Sequence, residues 1–237
     1  MARLLDGLSV IFPFEVDCYD DTSLEATFVG HPCVQSEQDC ELVYEPHGKV
    51  LLLAGSRVSN VKRVLPVMLE SYSRFIAAYE PRDALLIYPS DTIRKEIEVL
   101  LEQYPKLKDR LELVPNIGRI GASAVLTTSG TMSLRCGLAG IPGRIVHTIH
   151  FLSFVLGKLV LKIPYIGIAN LLLEKPFYPE FTQYKAKPEI LAEELHRCIS
   201  DQSIIEQTQA DSKELRLRLE GQTDDTPWSW LAAQLNT

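Results

Sequence analysis

The apolar pattern of the chain turns on Lys49–Arg57 (KVLLLAGSR), where consecutive apolar residues, Val50–Ala54, stop abruptly at Gly55-Ser56-Arg57. A continuous apolar run closed by a glycine turn predicts a strand buried on both faces, as in a parallel sheet. Helical spacing follows. Val61, Val64, Leu65, Met68, Leu69, Tyr72, Phe75 and Ile76 fall on one face, with Pro66 either kinking the helix or marking the first turn of its main part. Upstream, Leu8–Phe14 predicts a strand ended by Pro13, Ala26–Val29 a second short strand, and the polar, acidic stretch Cys33–Gly48 a loop.

The alternation continues downstream. Ala84–Tyr88 predicts a strand, and Ile93, Ile97, Leu100, Leu101 and Tyr104 a helical stripe with Ser90 or Asp91 as its N-cap. Leu111–Val114 and Ala122–Thr127 predict two more strands. The second runs into Ser129-Gly130-Thr131 and a helix bearing Leu134, Leu138 and Ala139, stopped by Gly140–Gly143. Arg144–His147 predicts a further strand, Tyr165–Leu173 a short irregular apolar segment, and the residues after Pro188 a helix carrying Ile190, Leu191, Leu195, Cys198 and Ile199. Beyond Ser203 the chain is more polar and helical, with Thr223–Thr226 as the best candidate for a break and a final Trp228-Ser229-Trp230 cluster. Strands alternating with helices imply an α/β fold: a Rossmann-like parallel sheet with helices on both faces, followed by extra C-terminal helices.

Two strand–glycine–helix junctions stand out, Gly55-Ser56-Arg57 and Ser129-Gly130-Thr131. Such a junction points free backbone N–H groups and the positive end of a helix dipole over the C-terminal edge of a sheet, where α/β proteins hold phosphates. Ser56 adds a hydroxyl and Arg57 a bidentate charged fork. Either junction alone is a weak signal; two in one sheet strengthen it.

Composition removes several classes. The 237 residues are 46% hydrophobic and 23% charged, an ordinary globular balance, and the formal net charge of −7 argues against nucleic-acid binding. Cys18, Cys33, Cys40, Cys136 and Cys198 are odd in number and scattered, which points to a reducing cytosol and away from a disulfide frame or structural zinc. His147 and His150 have no evident partner ligand and are expected to be ordinary side chains. The N-terminus does not read as a signal peptide, and no stretch approaches bilayer-spanning length. Phe151–Ile163, with Lys158 and Lys162, fits either a core helix or a segment lying on a membrane surface.

Several segments, in order, resemble the C-terminal half of the lipid-A-disaccharide synthases, glycosyltransferases of GT-B architecture. They are Ile11–Glu15 (IFPFE), Phe28–Pro32 (FVGHP), Leu51–Arg57, Val61–Glu70 (VKRVLPVMLE), Thr128–Thr131 (TSGT), Leu138–Pro142 (LAGIP) and Tyr165–Gln183 (YIGIANLLLEKPFYPEFTQ). The resemblance implies transfer of a diacylglucosamine from a UDP donor onto a diacylglucosamine 1-phosphate acceptor, giving lipid A disaccharide 1-phosphate and UDP, with no metal or other cofactor. It implies a UDP-sugar-binding region over residues 1–187. Helices over 188–237 would pack back on an N-terminal half that the chain is expected to lack. By resemblance, Arg57 neutralises the departing diphosphate with Gly55 and Ser56. Ser129, Gly130 and Thr131 line the donor pocket, Asn170 contacts the donor, and Glu180 and Gln183 lie near the cleft. Arg135 stands where the family typically has a ribose-binding Glu; it has no acceptor atom and would meet a phosphate instead, or face solvent. Asn60, Ala54 and Ala169 are further departures, in place of Glu, Pro and Pro. The expected partners are the UDP-diacylglucosamine donor, the acylated acceptor, a separate N-terminal half or a second copy (with Trp228 and Trp230 as anchors) and, peripherally, the inner face of the inner membrane. A non-catalytic nucleotide-sugar-binding module and another GT-B UDP-sugar enzyme are the alternatives.

Overall fold

The computed structural model describes residues 4–35, 40–147, 165–182, 185–221 and 229–232. Phe151–Ile163, His150, Gln183, Thr223–Thr226 and Trp228 lie outside the described residues; Trp230 is half-buried. Contacts divide the chain into two units, residues 1–38 with 213–237, and residues 39–212. The division falls at 38/39 and at 212/213.

In the first unit, β1 (Gly7–Val10) and β2 (Glu25–Phe28) pair in parallel, from Gly7↔Glu25 to Val10↔Phe28. The predicted strand Leu8–Phe14 stops early because Glu15 folds back: its Oε2 accepts from the N–H groups of Ile11 at 3.2 Å and Phe12 at 3.0 Å. Those donors are therefore lost to any ladder, and Pro13 opens a 3-10 turn instead. A short helix α1 (Pro32–Gln35) follows. His31 is buried under the Phe12 ring and its Nδ1 accepts from Cys33 N–H at 3.0 Å.

The second unit is built on β3 (Cys40–Leu53). Its apolar half is shut away on both faces, Val50, Leu51 and Leu52 having no exposure, which requires helices above and below and neighbours on each side. The neighbours are β4 (Ala84–Tyr88) and β6 (Gly118–Thr127), and the sheet is completed by β5 (Leu111–Pro115), β7 (Gly143–His147) and β8 (Glu180–Thr182). All pairings are parallel, in the order β5-β4-β3-β6-β7-β8. Counted from β3, this is the 3-2-1-4-5-6 order of a Rossmann sheet, whose direction of winding reverses between β3 and β6.

Helices α2 (Val58–Ala78), α3 (Asp91–Leu101) and α6 (Pro188–Ser200) contribute to the core on one face. There Val50, Leu52, Leu86, Leu126 and Val146 meet Leu65, Met68 and Tyr72 of α2, Ile97 of α3, and Leu191 and Leu195 of α6. Ser90 caps α3, accepting from Ile93 N–H at 3.4 Å. Pro66 lies inside α2, which continues on both sides of it. The remaining helices are α4 (Thr131–Leu138), α5 (Ile168–Leu173) and α7 (Gln202–Leu219).

Two expectations are corrected. Residues 40–48 are not loop: Cys40–Tyr44 pairs with Gly118–Ala122, ahead of the predicted start of β6 at Ala122, before the register shifts at Glu45–Gly48. Each of these weak segments supplies the partner that the other needs. Ile168–Leu173 is a helix rather than irregular, held by the polar cluster described below.

At the start of β7, Arg144 is almost fully buried, and its Nε donates to Glu194 at 2.6 Å; Arg197 meets the same carboxylate at 2.8 Å. Burial favours the neutral acid at Glu194, but its bonds to Arg144 and Arg197 outweigh this and hold its pKa below the usual value. Glu194→Ala would strand the Arg144 charge. Urea unfolding is expected to show a loss of about 3–5 kcal/mol.

Candidate functional site

Both glycine junctions emerge at the winding reversal. β3 leads through buried Ala54 to Gly55, whose φ of +99° suits glycine and few other residues. A side chain there would also stand 3.2 Å from Thr128 Oγ1, so the two junctions are packed against each other. Thr128 N–H donates to Leu53 O at 3.0 Å and ties the end of β6 to that of β3. Ser56 and Arg57 are exposed. Arg57 is the N-cap of α2, its carbonyl accepting from Asn60 and Val61, and its side chain has no hydrogen bond or ion pair among the described residues.

On the β6 side, Ser129 and Gly130 are half-buried and Thr131 is exposed as the first residue of α4. Ser133 Oγ holds the turn, accepting from Gly130 N–H at 3.2 Å and donating to Gly130 O at 2.7 Å. Gly55, Ser56, Arg57, Ser129, Gly130 and Thr131 are thus gathered at one sheet edge. It offers backbone N–H groups, hydroxyls, a free guanidinium and the N-termini of two helices, a set suited to a phosphate-bearing ligand.

Asn170 and Glu180 are brought together in one hydrogen-bonded cluster. Asn170 has no exposure. Its Nδ2 donates to Tyr178 O at 2.7 Å and Glu180 Oε1 at 2.9 Å, and its Oδ1 accepts from Tyr178 N–H at 2.7 Å. Glu180 also accepts from the N–H groups of Ile166 and Gly167, at 3.0 and 2.8 Å. Gly167 allows close approach: a Cβ there would lie 2.5 Å from Ile145 Cδ1. The cluster therefore pins the start of α5 over β7 and leaves Asn170 no surface to offer a ligand. Arg135 is engaged elsewhere, its guanidinium donating to the carbonyl of Cys40. Asn60, at the second departure, accepts from Arg63 at 3.3 Å. Among the described residues, no grouping of His, Cys, Asp and Glu has the makings of a metal site.

One residue that sequence reasoning set aside stands at the same edge. His147 ends β7, is buried, and its Nε2 has no hydrogen-bond partner among the described residues. Burial holds its pKa below 6.5, the charge of Glu180 opposing only in part, so the imidazole is neutral at pH 7.

With this geometry established, comparison with known proteins settles the family. The family model described as lipid-A-disaccharide synthetase matches residues 1–232. The chain belongs to this family. It is 32% identical over 230 residues to the lipid-A-disaccharide synthase of Anaeromyxobacter dehalogenans, covering 92% of this chain and 60% of that protein. For the synthase of Geobacter metallireducens the values are 30% over 232 residues, 92% and 59%. The chain thus spans about 60% of the length of the relatives it matches. Among solved structures it resembles the spinosyn rhamnosyltransferase SpnG complexed with thymidine diphosphate (TM-score 0.51, 12% identity, 92% of this chain and 53% of that one). It also resembles the glycotransferase of kitacinnamycin (TM-score 0.53, 17% identity, 98% and 54%). At these identities the likeness speaks to fold, that of one half of a GT-B glycosyltransferase.

Two outcomes follow for this family member. Asn170→Ala would leave the buried N–H and C=O of Tyr178 unpaired, and chemical denaturation is expected to show a loss of about 2–5 kcal/mol. For His147, the unfolded chain takes up a proton first, near pH 6.5. Its stabilisation is therefore complete above that value and lost as pH falls toward the lower folded pKa. Thermal melts from pH 7 to pH 5 should show declining stability, with a shallower decline in His147→Gln.

Proposed function

We propose that this chain is the donor-binding portion of a lipid-A-disaccharide synthase. The observation that carries the reading is the meeting of the Gly55–Arg57 and Ser129–Thr131 junctions at the switch point of a Rossmann sheet, in a member of that family. In the reaction, a hydroxyl of 2,3-diacylglucosamine 1-phosphate attacks the anomeric carbon of UDP-2,3-diacylglucosamine. The bond from that carbon to the diphosphate oxygen breaks, UDP departs, and the hydroxyl proton passes to a base. Arg57 and the N-termini of α2 and α4 stabilise the negative charge that develops on the diphosphate. Ser129 and Thr131 bring hydroxyls to the same group, and Gly55 and Gly130 keep the backbone close. Asn170 and Glu180 act as positioning residues that hold Ile166 and Gly167.

The acceptor surface and the base are assigned to polypeptide outside these 237 residues, which span about 60% of the length of the relatives. The two-stranded parallel sheet of the first unit supports this, because parallel strands are found in larger sheets covered on both faces. The acylated substrates of this reading support peripheral attachment to a membrane, taken here as the inner face of the inner membrane. No described helix is long and apolar enough to cross a membrane. One observation favours a second reading, a non-catalytic nucleotide-sugar-binding module: Arg135 replaces the expected ribose-binding carboxylate and is tied to Cys40. Glycosyl transfer on adding an N-terminal half in trans supports the synthase; binding without transfer supports the module.

Titration calorimetry with UDP tests the common part. Binding at millimolar ligand or below is expected, and its absence from a folded chain refutes both readings. Arg57→Ala should weaken UDP binding about tenfold or more, the loss of a charge-assisted contact. Because the side chain is exposed, stability should stay within about 0.5 kcal/mol.

A further inference from the structure

We infer that His147 is a ligand-contacting residue of the donor site, presenting its Nε2 to the group attached to the diphosphate on the β7 side of the cleft. This rests on the donor-site reading above and adds to it a residue contributed by a third strand.

The register locates the residue. Leu53, Thr127 and Ile145 are paired across β3, β6 and β7. β3 and β6 end at Leu53 and Thr127 and lead into Gly55 and Ser129, and His147 is the last residue of β7, the strand beside β6. Side chains alternate between the faces of a strand, so His147 shares the face of Ile145 and Thr127, opposite to Val146 in the core. Neighbouring strands lie about 4.8 Å apart. A diphosphate held between Arg57 and Ser129–Thr131 thus has its next substituent within reach of β7.

The unpaired nitrogen gives the residue its role. His147 is 7% exposed, and its Nε2 is one of two buried side-chain atoms without a partner among the described residues, the other being Asn116 Oδ1. Leaving a polar atom buried and unpaired is costly, and most such atoms are paired. The buried His31 in the first unit follows that rule, through Cys33 N–H. The nearby Glu180 carboxylate does not satisfy His147. Its oxygens accept instead from Ile166, Gly167 and Asn170. A neutral imidazole has one donor and one acceptor nitrogen, so it suits a sugar or ribose hydroxyl or a phosphate oxygen and adds no charge.

The test uses the 237-residue chain with UDP and UDP-N-acetylglucosamine as probes. His147→Leu removes the nitrogen while filling the space, and His147→Gln keeps an amide near the Nε2 position. The expected result is about a tenfold loss of affinity in His147→Leu with thermal stability at pH 7 unchanged or raised, and partial rescue in His147→Gln. A loss seen already with UDP puts the contact on the nucleotide; a loss confined to UDP-N-acetylglucosamine puts it on the sugar. The imidazole nitrogen shifts of the unaltered chain, followed by NMR, should move on saturation with the bound probe. Affinities within twofold of the unaltered chain in both variants overturn the assignment, as does an imidazole signal that does not move, which also serves if His147→Leu fails to fold. Failure of the unaltered chain to bind either probe is a separate result that removes the donor-site reading, and the role of His147 with it.

Discussion

Everything at the candidate site depends on the central place of β3 in an all-parallel sheet. Its apolar half has no exposure, so helices must cover it on both faces and strands must flank it on both sides. The chain leaves it through α2 toward β4 and later returns on its other flank as β6. Two connections therefore diverge from adjacent strand ends, the place where a doubly wound sheet forms its crevice. The polar residues gathered there are a consequence of how the hydrophobic strand is buried. Thr128, bonded to Leu53 and packed under Gly55, keeps the two junctions at a fixed spacing.

β7 shows how the same sheet separates stability from ligand chemistry. At its start, Arg144 is buried and neutralised by Glu194, an arrangement that tolerates no loss of either partner. Alongside it, Asn170 and Glu180 satisfy one another and the backbone around Ile166, Gly167 and Tyr178. At its end, His147 keeps a nitrogen unspent. Polar groups that hold the fold have their bonding filled; those at the open edge do not.

Much of this was legible in the sequence. The apolar run Val50–Ala54, the stripe from Val61 to Phe75 and the later strands declare the Rossmann sheet, because strand and helix periods are read locally. Both glycine junctions were legible as well, since a positive φ and a stop after a strand leave a residue-level mark. The Cys40–Tyr44 strand was not: it exists through pairing with Gly118–Ala122, and neither segment reveals a distant partner. Asn170 is expected to contact the donor and Arg135 to meet a phosphate or face solvent; the structure buries the first and bonds the second to the Cys40 carbonyl, placements that no spacing encodes. His147 reads as ordinary for the converse reason: an isolated histidine shows no partner in the sequence, and only the sheet order sets it at the end of the strand beside β6.

The exposed Arg57 differs in kind from arginines such as Arg74, Arg94, Arg144 and Arg197, which hold carboxylates. No internal ion pair has to break before it meets a diphosphate, but its side chain enters the encounter with its rotamer freedom intact, worth about 2 kcal/mol. In the proposed donor site, ordering it would weaken the grip on a nucleotide and speed its escape. For the glycosyl transfer proposed above that would be an advantage, since a spent nucleotide would have to vacate the cleft before another donor could enter, and a guanidinium locked in advance would prolong its stay.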